Sequence, residues 1–479
     1  MSTLTAYDVP LLIDGEKRTG ASSFDVVDPY RRTVASHVQE ASAADVDAAV
    51  QSARLGQAEL AAMPAHRRAA IIRAVAGALA SAKEEFAERL VRDCGKCLKD
   101  ARGEIDRAVE IYQVSAEEAT RIGGETIPLD ALPLGEGGRI AFTVRGPVGV
   151  VAAIGPFNAP VHVIAHKLGP AFAAGNAVVL KPAPQGSAVG FMIADLFAKA
   201  GLPPRALQLV PGGVATGDAL VSHPGVDMVN FTGSGRVAVA LLRSAGLKRV
   251  TLELGGNAAV VIHEDANWEK AVAACVGAAY GIAGQSCVSL QRLYIHRSLF
   301  DRVAARMAEL SAALRVGDTL SADTDVGVMV SEDAARRIQE WVDEAIAAGA
   351  KALCGARREG ATVWPTVLVN VEPKMRVVCE EVFGPVISLI PYDDLDSALD
   401  AVNDSPWGLA SGIFTRSLDV ALLAARCLRT GVLNVNGPSR YRVEHIPYGG
   451  LKLSGWGKEG PRYAIQEMTE MKTVIISPS

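Results

Sequence analysis

"VGVVAAIGPFNAPVHVIAHKLGPAFAAGNAVVLKPAPQGSAVGFMIADLFAKAG", residues 148–201, alternates short apolar runs with segments of helical periodicity. The apolar runs lack the polar alternation of a half-exposed strand, which is typical of parallel strands covered on both faces. "LQLVPG" and "DMVNFTGS", at 207–212 and 227–234, continue the pattern. The stretch therefore predicts a doubly wound α/β domain with a parallel sheet.

The flanking sequence predicts further elements. Residues 41–113 are rich in Ala, Glu, Arg and Leu at helical spacing and predict several amphipathic helices. After Leu254, the runs "AAVVIH", "RLYIH", "VISLIPY", "ASGIFT" and "GVLNVNG" predict a second α/β domain. "RIAFTVR" (139–145) and "KTVIIS" (472–477) are strand candidates outside both domains and suit contacts between subunits, so we expect a homodimer or homotetramer.

Composition favours a folded protein that handles small molecules. The chain has 479 residues, 49% of them hydrophobic, which is enough for the cores of more than one domain. Its 48 basic and 53 acidic residues are well mixed and give a net charge of -5, so we expect no nucleic-acid or membrane partner. The N-terminus lacks the charged start and apolar core of a signal peptide, and we expect a cytoplasmic location.

Two uncharged spans, 146–166 and 271–291, reach the length of a membrane helix. Proline, histidine, glycine and polar residues interrupt them, which favours buried segments of a folded core. Seven cysteines, an odd number without a repeated spacing, argue against a disulfide framework. The "CGKC" at 94–97 has no second pair to complete a zinc site, and we expect no metal requirement.

Several polar residues follow predicted strands, at the edge where parallel sheets bind ligands. Lys181 comes directly after "AVVL" and suits a ribose hydroxyl or a phosphate, but a solvated lysine is the alternative. Gly233 and Ser234 open a helix whose N–H groups suit a pyrophosphate, although such turns also serve packing alone. Asn158 in "IGPFNAP" suits an oxyanion donor, although asparagine is common at turns.

Glu253 and Cys287 are the candidates for reactive groups. Glu253 ends an apolar strand in "VTLELGGN", where an unpaired carboxylate has the raised pKa of a general base; a solvent-facing strand residue is the alternative. Cys287 in "AGQSCVSLQR" is either an inert buried thiol or a nucleophile activated by backbone N–H groups or a cation. Neither residue decides between its two interpretations alone.

The motifs resemble the aldehyde dehydrogenase superfamily in content, order and spacing. The matching segments run from "DPYRRTV" through "LELGGN", "GQSC", "EEVFGPV" and "NDSPWGLASGIFT" to "PYGGLKLSGWGKEG" and cover nearly the whole chain. The resemblance implies an aldehyde dehydrogenase-like α/β fold, with two doubly wound domains and a small β oligomerisation element. It assigns 1–122 and 148–252 to a dinucleotide-binding domain, 253–463 to a catalytic domain, and 123–147 with 464–479 to oligomerisation strands.

The resemblance also implies a mechanism. Cys287 would attack the carbonyl carbon of an aldehyde, Asn158 would stabilise the oxyanion, and Glu253 would activate the water that hydrolyses the thioester. The product would be a carboxylic acid, and members that pass the acyl group to coenzyme A generally lack a glutamate at this position. A coenzyme A-acylating enzyme and a non-catalytic binding or structural protein on the same fold are the alternatives.

The cofactor implied by the resemblance is NADP or NAD. Lys181 would bind the adenosine ribose, and Pro184 stands three residues later, where NAD-preferring members often carry a glutamate. Because a carboxylate there would repel a 2′-phosphate, its absence predicts that NADP is used at least as well as NAD. The implied cofactor contacts are Phe157, Lys181, Pro184, Gly233, Ser234, Leu254, Glu381 and Phe383.

The implied substrate tunnel is polar. Many family members place aromatic residues where this chain has Ala159, His162 and Arg442, which predicts a small aldehyde with an anionic or strongly polar group. Arg442 would either clamp that group or pair with Glu444 or another subunit. Arg107 is a second candidate, although a helix-surface pair with Glu104 is the favoured interpretation. The other implied tunnel positions are Val163, His166, Ser286, Val288 and the segment 440–445.

Overall fold

The structure, a computed structural model, describes residues 6–135 and 137–478. The parts of the predicted domains that fall on residues 1–5, 136 and 479 lie outside this description. The α-helices are α1 (Ala43–Ala62), α2 (Ala65–Ser81), α3 (Lys83–Cys94), α4 (Leu98–Glu118), α5 (Pro160–Ala174), α6 (Ser187–Lys199), α7 (Val214–Ser222), α8 (Gly235–Ala245), α9 (Trp268–Tyr280), α10 (Phe300–Ala312), α11 (Glu332–Ala347), α12 (Arg376–Cys379), α13 (Leu395–Asn403), α14 (Leu418–Cys427) and α15 (Pro461–Glu467).

The strands form several sheets. In chain order they are β1 (Tyr7–Val9), β2 (Leu11–Ile13), β3 (Glu16–Arg18), β4 (Ser22–Val27), β5 (Val34–Glu40), β6 (Thr126–Ile127), β7 (Ile140–Pro147), β8 (Val150–Ile154), β9 (Ala177–Lys181), β10 (Leu207–Leu209), β11 (Met228–Thr232), β12 (Arg249–Glu253), β13 (Ala258–Ile262), β14 (Leu290–His296), β15 (Lys351–Cys354), β16 (Arg358–Glu359), β17 (Thr362–Val363), β18 (Thr366–Val369), β19 (Val386–Tyr392), β20 (Trp407–Gly408), β21 (Ala410–Phe414), β22 (Val432–Val435), β23 (Leu451–Lys452), β24 (Gly455–Trp456) and β25 (Thr469–Ile476).

The first sheet confirms the predicted doubly wound fold. Its strand order is β24–β12–β11–β8–β9–β10–β2–β3, and the strands from β12 to β10 run parallel. Alternate residues of β8 face two different cores: Val151 packs with α2 to α6, whereas Val150 packs with α1, α7 and α8. Both faces are therefore apolar, which explains why the strand sequences lack polar alternation.

The carboxyl ends of the parallel strands place the predicted site residues at one edge of this sheet. Lys181 ends β9, Glu253 ends β12, Gly233 follows β11, and Asn158 follows β8. The late strand β24 also reaches this edge, because it pairs antiparallel with β12 and places Gly455 opposite Glu253. Ligands of doubly wound sheets bind at this edge.

The second sheet supplies the other side of the site. Its order is β15–β18–β19–β14–β13–β21–β22, with only β15 antiparallel to its neighbour within the described sheet. The short connection 254–257 joins the end of β12 to the start of β13. Cys287 comes just before β14, which pairs with β13 from Leu290 onward. The amino-terminal edge of the second sheet therefore lies next to the carboxyl edge of the first.

Helix α5 connects the carboxyl edge of the first sheet to the helical core. Pro160 occupies its first turn, where a missing N–H has no cost, and Gly175 ends it with a φ of 91°. All of its residues are buried. The Glu104 carboxylate accepts the N–H groups of Val161 and His162 at 2.7 and 3.1 Å, which satisfies the free donors of the helix N-terminus.

A three-stranded sheet, β25–β7–β6, contains the two strands that the sequence predicts to lie outside the doubly wound sheets. Ile140, Met471 and Ile475 are more than half exposed on it. Exposed apolar side chains on an extended β-ribbon suit a subunit interface, so the oligomer stays a prediction with this surface as its basis. Among the described residues, no helix combines the length and the apolar character that crossing a bilayer requires.

Candidate active site

Cys287 lies in the loop between a 3-10 turn, Gly281–Gly284, and β14. In this turn Ile282 and Ala283 adopt left-handed φ angles of 57° and 52°, which residues other than glycine rarely take. A backbone of this kind persists only when its surroundings hold it in place.

Two side chains hold the strained turn. Asp100 Oδ2 accepts the Ile282 N–H at 2.7 Å. The buried Gln285 donates from Nε2 to the carbonyl oxygens of Ile282 and Val328, both at 3.2 Å, and its Oε1 accepts the Val330 N–H at 2.9 Å. The loop that presents Cys287 is therefore fixed by contacts within the protein.

The surroundings of the Cys287 thiol raise its pKa. Burial raises its pKa to about 12, and the Tyr448 hydroxyl, 3.7 Å from Sγ, opposes this shift only in part. The negative charge of Glu253 raises the pKa further. Because the thiolate is the nucleophile, attack on a carbonyl carbon requires a base that takes the proton.

Asn158 reaches the Cys287 loop from the first sheet. Its Nδ2 donates one hydrogen bond to the Gln285 carbonyl oxygen at 2.9 Å. An amide nitrogen carries two N–H groups, so the second remains available for an oxyanion. The structure therefore places Asn158 beside the nucleophile loop.

Glu253 is buried without partners. It is 8% exposed, and neither carboxylate oxygen has a hydrogen-bond partner among the described residues. Burial, followed by the negative charge of Glu459, raises its pKa well above the ordinary value. Gly449 leaves room for the carboxylate, because a Cβ there would lie 2.9 Å from Oε1. A carboxylate in this state suits a general base near neutral pH.

Arg442 is buried and already engaged. Its Nη1 donates to Glu459 at 3.0 Å, and its guanidinium lies over the Tyr448 ring, 3.7 Å from the centroid. Its Nη2 lies 2.7 Å from His166 Nε2. Of the two interpretations that the sequence leaves open, pairing within the chain is present, with Glu459 as the nearer partner and Glu444 at 3.7 Å.

Glu444 is the centre of this charged network. Its Oε2 lies 2.9 Å from Nε2 of both His162 and His166, and its Oε1 accepts from Arg107 Nε at 2.6 Å. Burial raises the pKa of Glu444, but the contacts with the two histidines outweigh it and hold the pKa well below the ordinary value. His166 Nε2 has one in-plane bonding position, so it serves either Arg442 or Glu444 at one time.

The favoured pair between Arg107 and Glu104 is wrong. Glu104 pairs instead with the buried Lys96 and accepts backbone N–H groups of α5. Arg107 pairs with Glu444, which is 337 residues away in the sequence. Helical spacing shows only local partners, so it missed a contact made across the fold.

His162, His166 and Glu444 have donor atoms within 4.8 Å of one another, close enough to share a metal ion. Arg107 on Glu444 and Arg442 on His166 already supply positive charge there. A metal cation would be repelled by both guanidinium groups. We therefore explain the cluster as an ion-pair network.

Lys181 is suited to ribose hydroxyl groups. It is buried at the end of β9, and its Nζ makes one hydrogen bond in the described structure, to the Pro182 carbonyl oxygen at 3.3 Å. Burial lowers its pKa to about 8. A buried ammonium with one long hydrogen bond has donors to spare. Pro184 begins the next turn and contributes no N–H.

The N-terminus of α8 is open to a ligand. Ser234 caps it by accepting the Val237 N–H at 3.4 Å. Gly233 is required by packing, since a Cβ there would lie 2.5 Å from the Phe231 ring, but a Cβ at Gly235 would meet open space. The packing interpretation of this turn is therefore present, and the role of the accessible helix N-terminus toward a pyrophosphate stays a prediction.

Glu381 and Phe383 lie in the segment before β19 of the second sheet and contact Gly256 and Phe157, respectively. The Glu381 carboxylate accepts the Gly256 N–H at 2.9 Å, and a Cβ at Gly255 would lie 2.2 Å from it. Burial raises the pKa of Glu381 to about 7. Phe383 meets Phe157 edge to face, with 6.1 Å between ring centroids. The spare donors of Lys181, the open helix N-terminus and these rings together fit a dinucleotide.

The chain is similar to known proteins over nearly its whole length. Residues 16–474 match the model of the aldehyde dehydrogenase family. The chain belongs to this family. It is an NAD(P)-dependent aldehyde dehydrogenase, and its mixed α/β fold is the fold of that family.

Three relatives illustrate the similarity. The 3-sulfolactaldehyde dehydrogenase of Priestia aryabhattai is 43% identical over 468 residues, which cover 98% of each chain. The structure of aldehyde dehydrogenase 21 from Physcomitrella patens, in complex with the reaction product succinate, matches with a TM-score of 0.96 at 35% identity over 99% of each chain. The NADP complex of NADP-dependent glyceraldehyde-3-phosphate dehydrogenase from Bacillus halodurans matches with a TM-score of 0.96 at 34% identity, over 98% of this chain and 99% of that one.

The remaining predicted residues of the enzyme lie around these groups. Leu254 is buried and donates its N–H to the Ser454 carbonyl oxygen at 2.9 Å. Ser286 is buried next to Cys287. Val288 is half-buried, and its carbonyl oxygen accepts from the Ser439 hydroxyl at 2.9 Å. Their roles toward ligands stay predictions.

Sequence analysis missed Tyr448, Lys167 and Glu459. Lys167 Nζ donates to the side chains of Asn230 and Thr232 at 2.7 and 2.8 Å, and burial lowers its pKa to about 8. A lysine in the apolar segment "VHVIAHKLGPAFAA" was a usable signal for Lys167. Tyr448 and Glu459 lie in the motif "PYGGLKLSGWGKEG", which was a usable signal for the segment, but only the structure shows their contacts with Cys287 and Arg442.

Proposed function

We propose that this enzyme oxidises a small aldehyde that carries an anionic group to the corresponding carboxylic acid. Two similar proteins support the anionic group, one named for 3-sulfolactaldehyde and one bound to succinate. The observation that carries the proposal is the state of Arg107. Its side chain is 40% exposed, and in the described structure only its Nε is hydrogen bonded. Both Nη groups remain free to bind a carboxylate or sulfonate in bidentate fashion.

Arg107 reaches the chemistry through Glu444. That carboxylate binds Arg107 with one oxygen and His162 with the other, and His162 is on the first turn of α5, just after Asn158. Four residues after Glu444, Tyr448 contacts the thiol of Cys287. An anionic group on Arg107 is therefore compatible with a short carbon chain whose aldehyde lies near Cys287.

The first chemical step forms a bond between Cys287 Sγ and the aldehyde carbon. The thiol proton passes to a base, for which we propose the Glu253 carboxylate, and the thiolate attacks. The carbonyl oxygen becomes an oxyanion that accepts hydrogen bonds from the second N–H of Asn158 and the Cys287 backbone N–H. Bound NAD or NADP would supply the acceptor for the hydride that leaves this carbon.

The second step hydrolyses the resulting thioester. After the first proton has passed from Glu253 to solvent, Glu253 takes a proton from water, and the hydroxide adds to the acyl carbon. The carbon–sulfur bond then breaks to release the acid, and the proton on Glu253 passes to the leaving thiolate, which regenerates the thiol. A small cavity lined by Thr251, Lys458 and Glu459 adjoins Glu253, and the polar side chains in its lining suit water.

The Glu253 carboxylate also separates the proposal from its alternatives. Activity that depends strictly on coenzyme A, or no activity with any aldehyde, would favour those alternatives.

Arg107→Gln tests the anionic substrate. Loss of a charge-assisted contact should raise KM for 3-sulfolactaldehyde or succinate semialdehyde about tenfold, with a much smaller change for a neutral aldehyde of equal length, because only the anion uses the guanidinium. Steady-state absorbance at 340 nm measures both. Arg102→Gln is the matched control, since Arg102 is on the same helix, is equally exposed and, among the described residues, pairs with Glu84 alone. Equal KM changes for anionic and neutral aldehydes would refute the role of Arg107.

A further inference from the structure

Glu40, at the end of β5, has a carboxylate held by two donors. Its Oε1 accepts the Gly213 N–H at 3.1 Å, and its Oε2 accepts from the Ser22 hydroxyl at 3.1 Å. Gly213 is the N-cap residue of α7. Glu40 therefore occupies a donor at a helix N-terminus, the kind of position that favours a negative charge.

The same turn of α7 touches Lys181. A Cβ at Gly217 would lie 3.4 Å from Lys181 Cε, and the Gly217 N–H donates to the Gly213 carbonyl oxygen at 3.3 Å. Glu40 and Lys181 thus contact opposite ends of one helical turn. Consistent with this, the charge of Glu40 opposes the larger effect of burial, which lowers the pKa of Lys181.

The positions of Glu40 and Lys181 favour binding of a ribose 2′-hydroxyl over binding of a 2′-phosphate. A 2′-hydroxyl can donate to a carboxylate such as that of Glu40. A 2′-phosphate would be repelled by Glu40, would find the Gly213 N–H already in use, and would gain no N–H from Pro184. One ammonium, that of Lys181, would face both the phosphate and the carboxylate.

We infer that Glu40 makes this enzyme bind NAD more tightly than NADP, because β5 supplies the carboxylate that the chain lacks at Pro184. The inference rests on the proposed role of Lys181 as a ligand of the adenosine ribose. Pro184 considered alone predicts that NADP is used at least as well as NAD. The position of Glu40, which is 144 residues earlier in the sequence than Pro184 (184 − 40), reverses that expectation.

Dissociation constants for NAD+ and NADP+, measured by tryptophan fluorescence without an aldehyde, test the inference. The wild type should bind NAD+ about tenfold more tightly than NADP+. Glu40→Gln keeps a side chain that can hydrogen bond to Gly213 and Ser22 and should tighten NADP+ about tenfold, with NAD+ changing less than threefold. Glu309→Gln is the matched control, because it removes the charge of an exposed carboxylate on α10, a helix that packs in the core of the second sheet.

A second variant separates charge from loop geometry. Glu40→Asp keeps the charge and shortens the side chain, so it should keep the preference for NAD+. Two outcomes would overturn the inference. One is an NADP+ affinity of Glu40→Gln within twofold of that of Glu309→Gln, and the other is an equal increase in NADP+ affinity in Glu40→Gln and Glu40→Asp. If the wild type bound neither cofactor, the proposed function itself would fail. Circular dichroism melting confirms that each variant is folded.

Discussion

Glu253 and Glu444 are two carboxylates in similar degrees of burial, 8% and 3% exposed, that the fold treats in opposite ways. Glu253 has no hydrogen-bond partner in the described structure, and its pKa is raised by burial. Glu444 contacts two histidines and a guanidinium, and its pKa is held well below the ordinary value despite burial. Burial alone therefore does not set the charge of a carboxylate; its partners decide.

The two carboxylates therefore suit different roles, Glu253 that of a base and Glu444 that of a structural ion-pair partner. Glu253 faces Gly449, which leaves space instead of a donor, so the carboxylate keeps an affinity for protons that a base needs. Glu444 is surrounded by donors and stays ionised, so it serves to orient Arg107 and His162. A buried charge with this many partners is a poor base and a strong structural anchor.

The largest effect is expected from Glu253→Gln. Glutamine has nearly the same shape and cannot accept a proton, so kcat should fall about 1,000-fold, within the range for loss of a general base. The free energy of unfolding should stay the same or rise, because the substitution breaks no hydrogen bond and removes the cost of a buried charge. Steady-state kcat and urea denaturation measure the two quantities. A kcat within tenfold of wild type would remove Glu253 from the mechanism.

Glu444→Gln should instead lower stability. It leaves Arg107 and its neighbours without a counter-charge, which should lower the free energy of unfolding by about 3–5 kcal/mol. Urea denaturation measures this, with Glu84→Gln as control, since the loss of that exposed partner of Arg102 should change the free energy of unfolding far less. The double variant Glu444→Gln, Arg107→Gln should recover part of the loss. A destabilisation no larger than that of Glu84→Gln would contradict the anchoring role.

The smallest and most diagnostic effect is the dependence of stability on pH. The pKa of Glu253 is higher in the folded state than its ordinary value of 4.5, so its contribution to stability is lost as pH rises above about 4.5 toward the folded-state pKa. The pKa of Glu444 is lower in the folded state, so its contribution is lost as pH falls below about 4.5.

Melting temperatures between pH 2.5 and pH 9 test these opposite signs. The melting temperature of Glu253→Gln should exceed that of the wild type by an amount that grows with rising pH. The melting temperature of Glu444→Gln should lie below that of the wild type by an amount that shrinks with falling pH. The pH profile of kcat/KM should also show an acid limb well above pH 4.5, because Glu253 must be deprotonated to act. Parallel melting curves for the two variants would show that the carboxylates are alike after all.

The sequence predicted the fold because its signals are local. Apolar runs without alternation marked β8, β9 and β13, and helical periodicity marked α1 to α4. The candidate site was also visible, since Asn158, Glu253 and Cys287 follow or precede these strands in motifs that resemble one family. Parallel strands end at a common edge, so residues far apart in the chain could be expected at one place.

The partners of charged side chains were not predictable in the same way. Helical spacing favoured Glu104 as the partner of Arg107, but the fold brings Glu444 there instead. Tyr448 and Glu459 lie in a motif that resembles the family, but the motif does not show which side chains they contact. These contacts depend on how the loops fold back onto the ends of the strands, and hydrophobic periodicity gives no information about that.

The sequence by itself determined the class of fold and the family, and it pointed to a candidate nucleophile, because strand and helix patterns and short motifs lie in consecutive residues. Only the tertiary structure decided which carboxylate is free to accept a proton and which is bound, and it alone brought Glu40 to the turn of α7 beside Lys181. The physical reason is that pKa values and ligand preference depend on charges and donors within a few ångströms. Those neighbours come from distant parts of the chain.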